Sequence, residues 1–137
     1  MRAAIRLRLL RGGGVALISL GLVHLAATPH IATLIRRNTV EAVAEWLVPP
    51  MLLNHVLVGA LLIPLGYLTL YAAPYSVRGS SWAQMIVRTI SVSAAALPIA
   101  LFSFMGKPYF LDAPLFVVGA VLTIAAVLTL VIAAFSK

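Results

Sequence analysis

The run Met51–Ala73, MLLNHVLVGALLIPLGYLTLYAA, contains no Lys, Arg, Asp or Glu. At ~1.5 Å per residue, a helix of that length crosses the ~30 Å hydrocarbon core of a bilayer. The same run carries the polar pair Asn54-His55 near one end and Pro64 near its centre. It is a membrane span before it is anything else.

Three further apolar runs accompany it. Of the 137 residues, 63% are hydrophobic and only 9% are charged, where a soluble domain carries about 25%. So much apolar surface cannot be hidden inside a water-soluble fold this small. The expected class is an all-α integral membrane protein: one domain over residues 1–137, with nothing left over for a soluble module. There are no cysteines, so disulfides, thiolate metal sites and cysteine nucleophiles are excluded together. The net charge of +7 sits in Arg and Lys residues that flank the spans instead of forming a basic face. They read as topology determinants and contacts to anionic lipid, not as a nucleic-acid surface.

Taken in order, Met1–Arg11 is a basic segment with four arginines and no acid. The apolar run after it is too long for an ordinary signal-peptide core, which argues for an uncleaved first span over residues 13–34. Pro29 cannot donate to the carbonyl of Leu25, so a kink is expected at Thr28-Pro29-His30. Residues 39–47 then read as a short interfacial helix: Asn38 and Glu41 have capping-box spacing, and Val40, Val43, Ala44 and Leu47 form one apolar side. Pro49-Pro50 are expected to end it and introduce span two, residues 51–73. Tyr67, Tyr71, Tyr75 and Trp82 make an aromatic belt. Span three covers residues 84–105, with Arg88 snorkelling at its start. Asp112 is placed to cap span four, residues 113–135.

Connections this short make neighbours antiparallel, giving an up-down four-helix transmembrane bundle. Arg2, Arg6, Arg8, Arg11, Arg78, Arg88 and Lys137 fall on one side; Arg36, Arg37, Lys107 and all three acids fall on the other. The positive-inside rule then puts both termini in the cytoplasm of what reads as a bacterial inner membrane. Without a hydrophobic drive between helices in lipid, small residues supply close contact. The candidates at heptad-like spacing are Gly14 and Gly21, Gly59 and Gly66, and Gly119 and Ala126.

The three histidines are the intramembrane groups suited to metal, haem or proton chemistry. His55, His30 and His24 are the candidate haem ligands. Met51 and His55, four residues apart, share a helical face, and His30 matches His55 in depth. With Glu41 and Glu45 approaching from the interfacial helix, these five form a candidate metal set. Imidazole with thioether suits copper(I) or haem iron, and imidazole with carboxylate suits harder metals. The alternative role for His24, His55 and Asn54 is hydrogen bonding across helices, worth ~0.6–2 kcal/mol each.

Ser91 and Ser93 have no histidine at matching depth, and no nucleophile, acid–base pair, P-loop or zinc-protease pattern is present, so no enzyme is expected. The leading expectation is a non-catalytic accessory subunit of a larger membrane complex, with the lipid bilayer and other membrane subunits or further copies of itself as partners. A haem- or metal-binding redox protein is the alternative, and a small transporter or channel a third.

Overall fold

A computed structural model describes residues 1–104 and 114–136. They form four helices: α1 (Ala3–Asn38), α2 (Glu41–Val77), α3 (Ser81–Phe104) and α4 (Pro114–Phe135). All four are long and apolar enough to cross a membrane. Span three's expected last residue, Lys107, the Asp112 cap and Lys137 lie outside the described residues.

Two boundaries differ from the sequence expectation. The first helix begins ten residues before Gly13, so the basic segment is helical and continuous with the span. The expected interfacial helix over residues 39–47 is not a separate element: α2 starts at Glu41 and runs through Pro49 and Pro50 to Val77. Proline lacks the N–H that Glu45 and Trp46 carbonyls would accept, but its fixed φ near −65° suits a helix. The prolines therefore delete two hydrogen bonds without ending the element. The helices likewise continue through Pro29, Pro64, Pro74 and Pro98.

The Asn38–Glu41 capping box does not form either. Val40 is the N-cap of α2 and makes no side-chain cap bond. Asn38 instead closes α1: its Nδ2 donates to Leu34 O at 2.8 Å, and Thr39 Oγ1 donates to Ile35 O at 2.7 Å. Both carbonyls lie at the C-terminal end of α1, where side-chain donors supplement or replace the fading backbone ladder. Two extended residues, Thr39 and Val40, then reverse the chain. At the other end of α2 the reversal is a Schellman turn. Ser80 N–H donates to Tyr75 O and Gly79 N–H to Ser76 O, with Gly79 at φ 93°.

Each helix packs against its neighbours in the chain, and α1 closes on α4; among the described residues the diagonal pairs do not touch. Two core layers result. One joins Leu10, Ala72, Ala73, Ala83, Val87, Ala133 and Ala134, and the other Leu17, Leu62, Ile90, Ala94, Val127 and Leu130. The first layer is largely alanine, which lets four helices converge around Leu10 and Val87.

The α1–α2 seam is the closest contact. A Cβ on Gly14 would lie 2.9 Å from Gly66 O, and one on Gly21 would lie 2.7 Å from Gly59 O. The reverse pairs are as tight, at 2.5 Å for Gly66 against Gly14 O and 2.9 Å for Gly59 against Gly21 O. The paired numbers rise on α1 as they fall on α2, so these two helices are antiparallel. The spacing of seven between successive glycines is the period of left-handed packing near +20°. Ala126 is buried, whereas Gly119 has nothing within 4 Å of where a Cβ would stand.

Arg6 fixes the opposite edge of the bundle. It is buried, its Nε donates to Ala133 O at 2.9 Å, and its Nη2 donates to Ser76 Oγ at 3.3 Å. One guanidinium thus ties α1 to α2 and to the C-terminal turn of α4. Ser91, also buried, donates to Val87 O at 2.7 Å and approaches Leu130 O at 3.4 Å, joining α3 to α4.

Candidate functional site

The seven-residue seam continues past Gly21 on α1 and Gly59 on α2 to a pair of imidazoles. His24 lies three residues after Gly21, and His55 four residues before Gly59. Their ring centroids are 4.7 Å apart with planes tilted by 30°. The glycines bring the backbones close enough for two rings from facing helices to meet, and this pairing is what the seam positions.

Hydrogen bonding fixes both rings. His24 Nδ1–H donates to Leu20 O at 3.0 Å. Thr28 Oγ1 donates to His24 O at 3.0 Å and lies 3.3 Å from His55 Nδ1. A carbonyl can only accept, so neutral His24 carries its hydrogen on Nδ1 and its lone pair on Nε2. Anchoring Nδ1 through an outer partner is how metal-binding histidines present Nε2. Neither ring uses a carbonyl freed by Pro29 or Pro64; the partners, Leu20 and Thr28, lie one turn to either side of His24 on α1.

His24 also borders an internal cavity of about 110 Å³ with walls from all four helices: Leu20, Val58, Leu62, Leu97, Leu101 and Thr123. Thr123 satisfies its own hydroxyl on Gly119 O at 2.8 Å. The space is well below the ~300 Å³ at which ordinary small-molecule sites begin. It has room for a few waters beside an imidazole.

The other candidates fall elsewhere. His30 is exposed, as are Met51, Glu41, Glu45 and Asn54. The metal set built from His30, His55, Met51, Glu41 and Glu45 does not converge. Because α2 is unbroken, Glu45 and Glu41 stand ten and fourteen residues along the axis from His55, roughly 15 and 21 Å at the helical rise. Among the described residues no three His, Cys, Asp or Glu side chains gather as a metal-binding group. A haem between His24 and His55 is also disfavoured by distance. Two imidazoles trans on one iron, each at about 2.0–2.1 Å plus half a ring, place their centroids roughly 6 Å apart.

The residue that sequence reasoning missed is Arg6, grouped there with the solvated basic segment. The signal was present: Arg6, Leu10, Gly13, Leu17 and Gly21 step by four, three, four and four, one continuous face of α1 and all buried. Extending the small-residue stripe backwards by two turns reaches the guanidinium.

The chain matches no protein-family model, no curated protein and no solved structure.

Proposed function

We propose that the protein is a non-catalytic subunit of a membrane complex, an up-down four-helix bundle whose α1–α2 hairpin is the docking element. The observation that carries this reading is a difference of length. The helices α1 and α2 have 36 and 37 residues, against 24 and 22 for α3 and α4. At the Arg6 end all four helices meet, through Ser76, Ala133 and the contact of Gln84 Nε2 with Ser76 O. Among the described residues the excess of 12 or more residues therefore extends at the Thr39–Val40 end, by roughly 20 Å.

Helices the length of α3 and α4, ~33–36 Å, match the hydrocarbon core without surplus. The extension carries Val40 at 75% and Trp46 at 83% exposure, beside the charges of Arg36, Arg37, Glu41 and Glu45. Apolar surface is unremarkable inside lipid. On a segment reaching into the polar boundary, with charges of both signs, it suits the membrane-proximal face of another subunit. The basic end, with Arg2, Arg6, Arg8, Arg11, Arg78 and Arg88, faces the cytoplasm in this reading, and an inner bacterial membrane fits it.

The test is the mass of the particle released gently from native membranes. A stoichiometric complex with a defined partner is expected, converted to free chain by Trp46→Glu and left intact by Val92→Glu on α3. A stable monomer, or equal effects of the two substitutions, removes the reading.

A second reading rests on the His24–His55 pair. The two imidazoles would supply two ligands of a site for one borderline transition-metal ion such as zinc or copper, with the rings cis and not trans. Metal analysis of protein purified without chelators should then give an ion lost in both His24→Ala and His55→Ala. A metal-free chain, or metal retained in the double variant, makes the pair a packing contact.

A further inference from the structure

The α1–α2 contact is the closest of the four that close the bundle, and a groove runs beside the α1–α4 contact. Its inner edge is made where Gly13 meets the side chain of Leu130. Outside that edge lies a groove of about 430 Å³, lined by Gly12, Ala16 and Val23 on α1 and by Leu122, Ala125 and Thr129 on α4. The side chains are small on both walls, so the helices leave a slot instead of interdigitating. Ser19 also lines the slot, and Thr129 turns its hydroxyl back to Ala125 O at 2.7 Å, leaving the lining overwhelmingly apolar.

One end of this slot is cationic. Arg8 precedes Gly12 by four residues and so continues the face that carries Gly12, Ala16, Ser19 and Val23. Arg11 adjoins Gly12 directly. Both guanidiniums are exposed and neither has a side-chain partner among the described residues, in contrast to Arg6 two residues away. Among the described residues that line the slot, none at the Val23–Leu122 end is charged. From Gly12 to Val23 the slot runs eleven residues, ~16 Å at the helical rise.

We infer that this groove is a specific site for one anionic phospholipid, its phosphate held by Arg8 and Arg11 and one acyl chain lying between α1 and α4. Charge complementarity selects the occupant. An arginine fork binds a phosphate through paired, charge-assisted hydrogen bonds, and an apolar slot without a charge at its far end receives the chain. An unfilled slot forfeits the dispersion contacts of its lining, which an acyl chain restores. The inference is independent of the docking role assigned to the α1–α2 hairpin.

The full chain is placed in nanodiscs of equimolar phosphatidylglycerol and phosphatidylcholine, released into detergent, and weighed by native mass spectrometry. One phosphatidylglycerol per chain should survive stripping that removes phosphatidylcholine. Arg8→Gln and Arg11→Gln should each lower retention roughly fivefold, the size of one membrane-surface arginine contact. Arg78→Gln, at the same end of the bundle but off the groove, should retain it as the parent does. Gly12→Leu should displace the lipid by filling the slot; a Cβ there meets nothing within 4 Å, so the substitution starts from open space. The exposed Ala125→Leu repeats that test from α4, with helicity measured on both. Equal retention of the two lipids overturns the site, as does an equal loss in Arg78→Gln. So does lipid kept by both filled variants, or a second protein chain bound in place of lipid.

Discussion

Alanine at Gly21 or Gly66 is expected to open the α1–α2 seam and destabilise the bundle, although alanine is the better helix former. The new Cβ at Gly21 would stand 2.7 Å from Gly59 O and 2.8 Å from Ile63 Cγ1; at Gly66 it would stand 2.5 Å from Gly14 O and 2.7 Å from Ile18 Cγ1. A side-chain atom can rotate away, but a backbone oxygen moves only with its helix. Overpacking of this kind costs about 1–3 kcal/mol, while replacing a helical glycine returns about 0.5–1 kcal/mol. The net loss should be about 1–2 kcal/mol per site, and larger for the pair, since both spread the same two backbones.

Gly119→Ala supplies the opposite sign. Nothing lies within 4 Å of its Cβ position, so only the propensity gain of about 0.5–1 kcal/mol remains. Unfolding of the three variants in one detergent should rank Gly119→Ala above the parent and the seam variants below it. If all three move together, glycine acts through helix propensity and the seam is not a close backbone contact. The seam variants should also separate the His24 and His55 rings, visible as changed imidazole resonances.

That seam was largely legible in the sequence, because heptad-spaced glycines in apolar helices have few other uses. The stripe of Gly14, Leu17, Gly21, His24 and Thr28 needed only the register of α2 to become the observed site. What the sequence concealed has particular causes. Pro49-Pro50 read as a boundary because proline usually marks one, yet its φ is helical and a deleted hydrogen bond is a local loss. Joining residues 41–47 to the span moved Glu41 and Glu45 far from His55 along the axis, which undid the carboxylate part of the metal set. His30 lies six residues past His24 and Met51 four before His55, roughly 9 and 6 Å along their helices, and both side chains are exposed. Depth separates them from the pair, and the register that shows it is set by the glycine seam. Gly119 looked like the other glycines by type; only its surroundings show that none of the described residues comes within 4 Å of a Cβ there.

The second large effect concerns Arg6. Arg6→Leu should destabilise the bundle strongly, while Arg8→Leu and Arg11→Leu, two and five residues on, should leave its stability nearly unchanged. Ala133 O, which accepts from Arg6 Nε, lies in the last turn of α4, where carbonyls have no helical donor and carry the negative end of the helix dipole. A hydrogen bond from a charged group contributes about 1.5–3 kcal/mol, and leucine would leave both Ala133 O and Ser76 Oγ without it. Lysine retains the charge but not the planar fork that reaches two helices at once, so Arg6→Lys should recover part of the loss. Ser76→Ala should cost less than Arg6→Leu, since the Ala133 contact survives it. Hydrogen exchange locates the effect: protection near Ser136, whose N–H bonds Ile132 O, should fall first in Arg6→Leu. Equal stability of Arg6→Leu and Arg8→Leu would return Arg6 to the solvated basic segment. The expected ordering instead makes one arginine of the four a structural tie and leaves Arg8 and Arg11 free for the membrane surface.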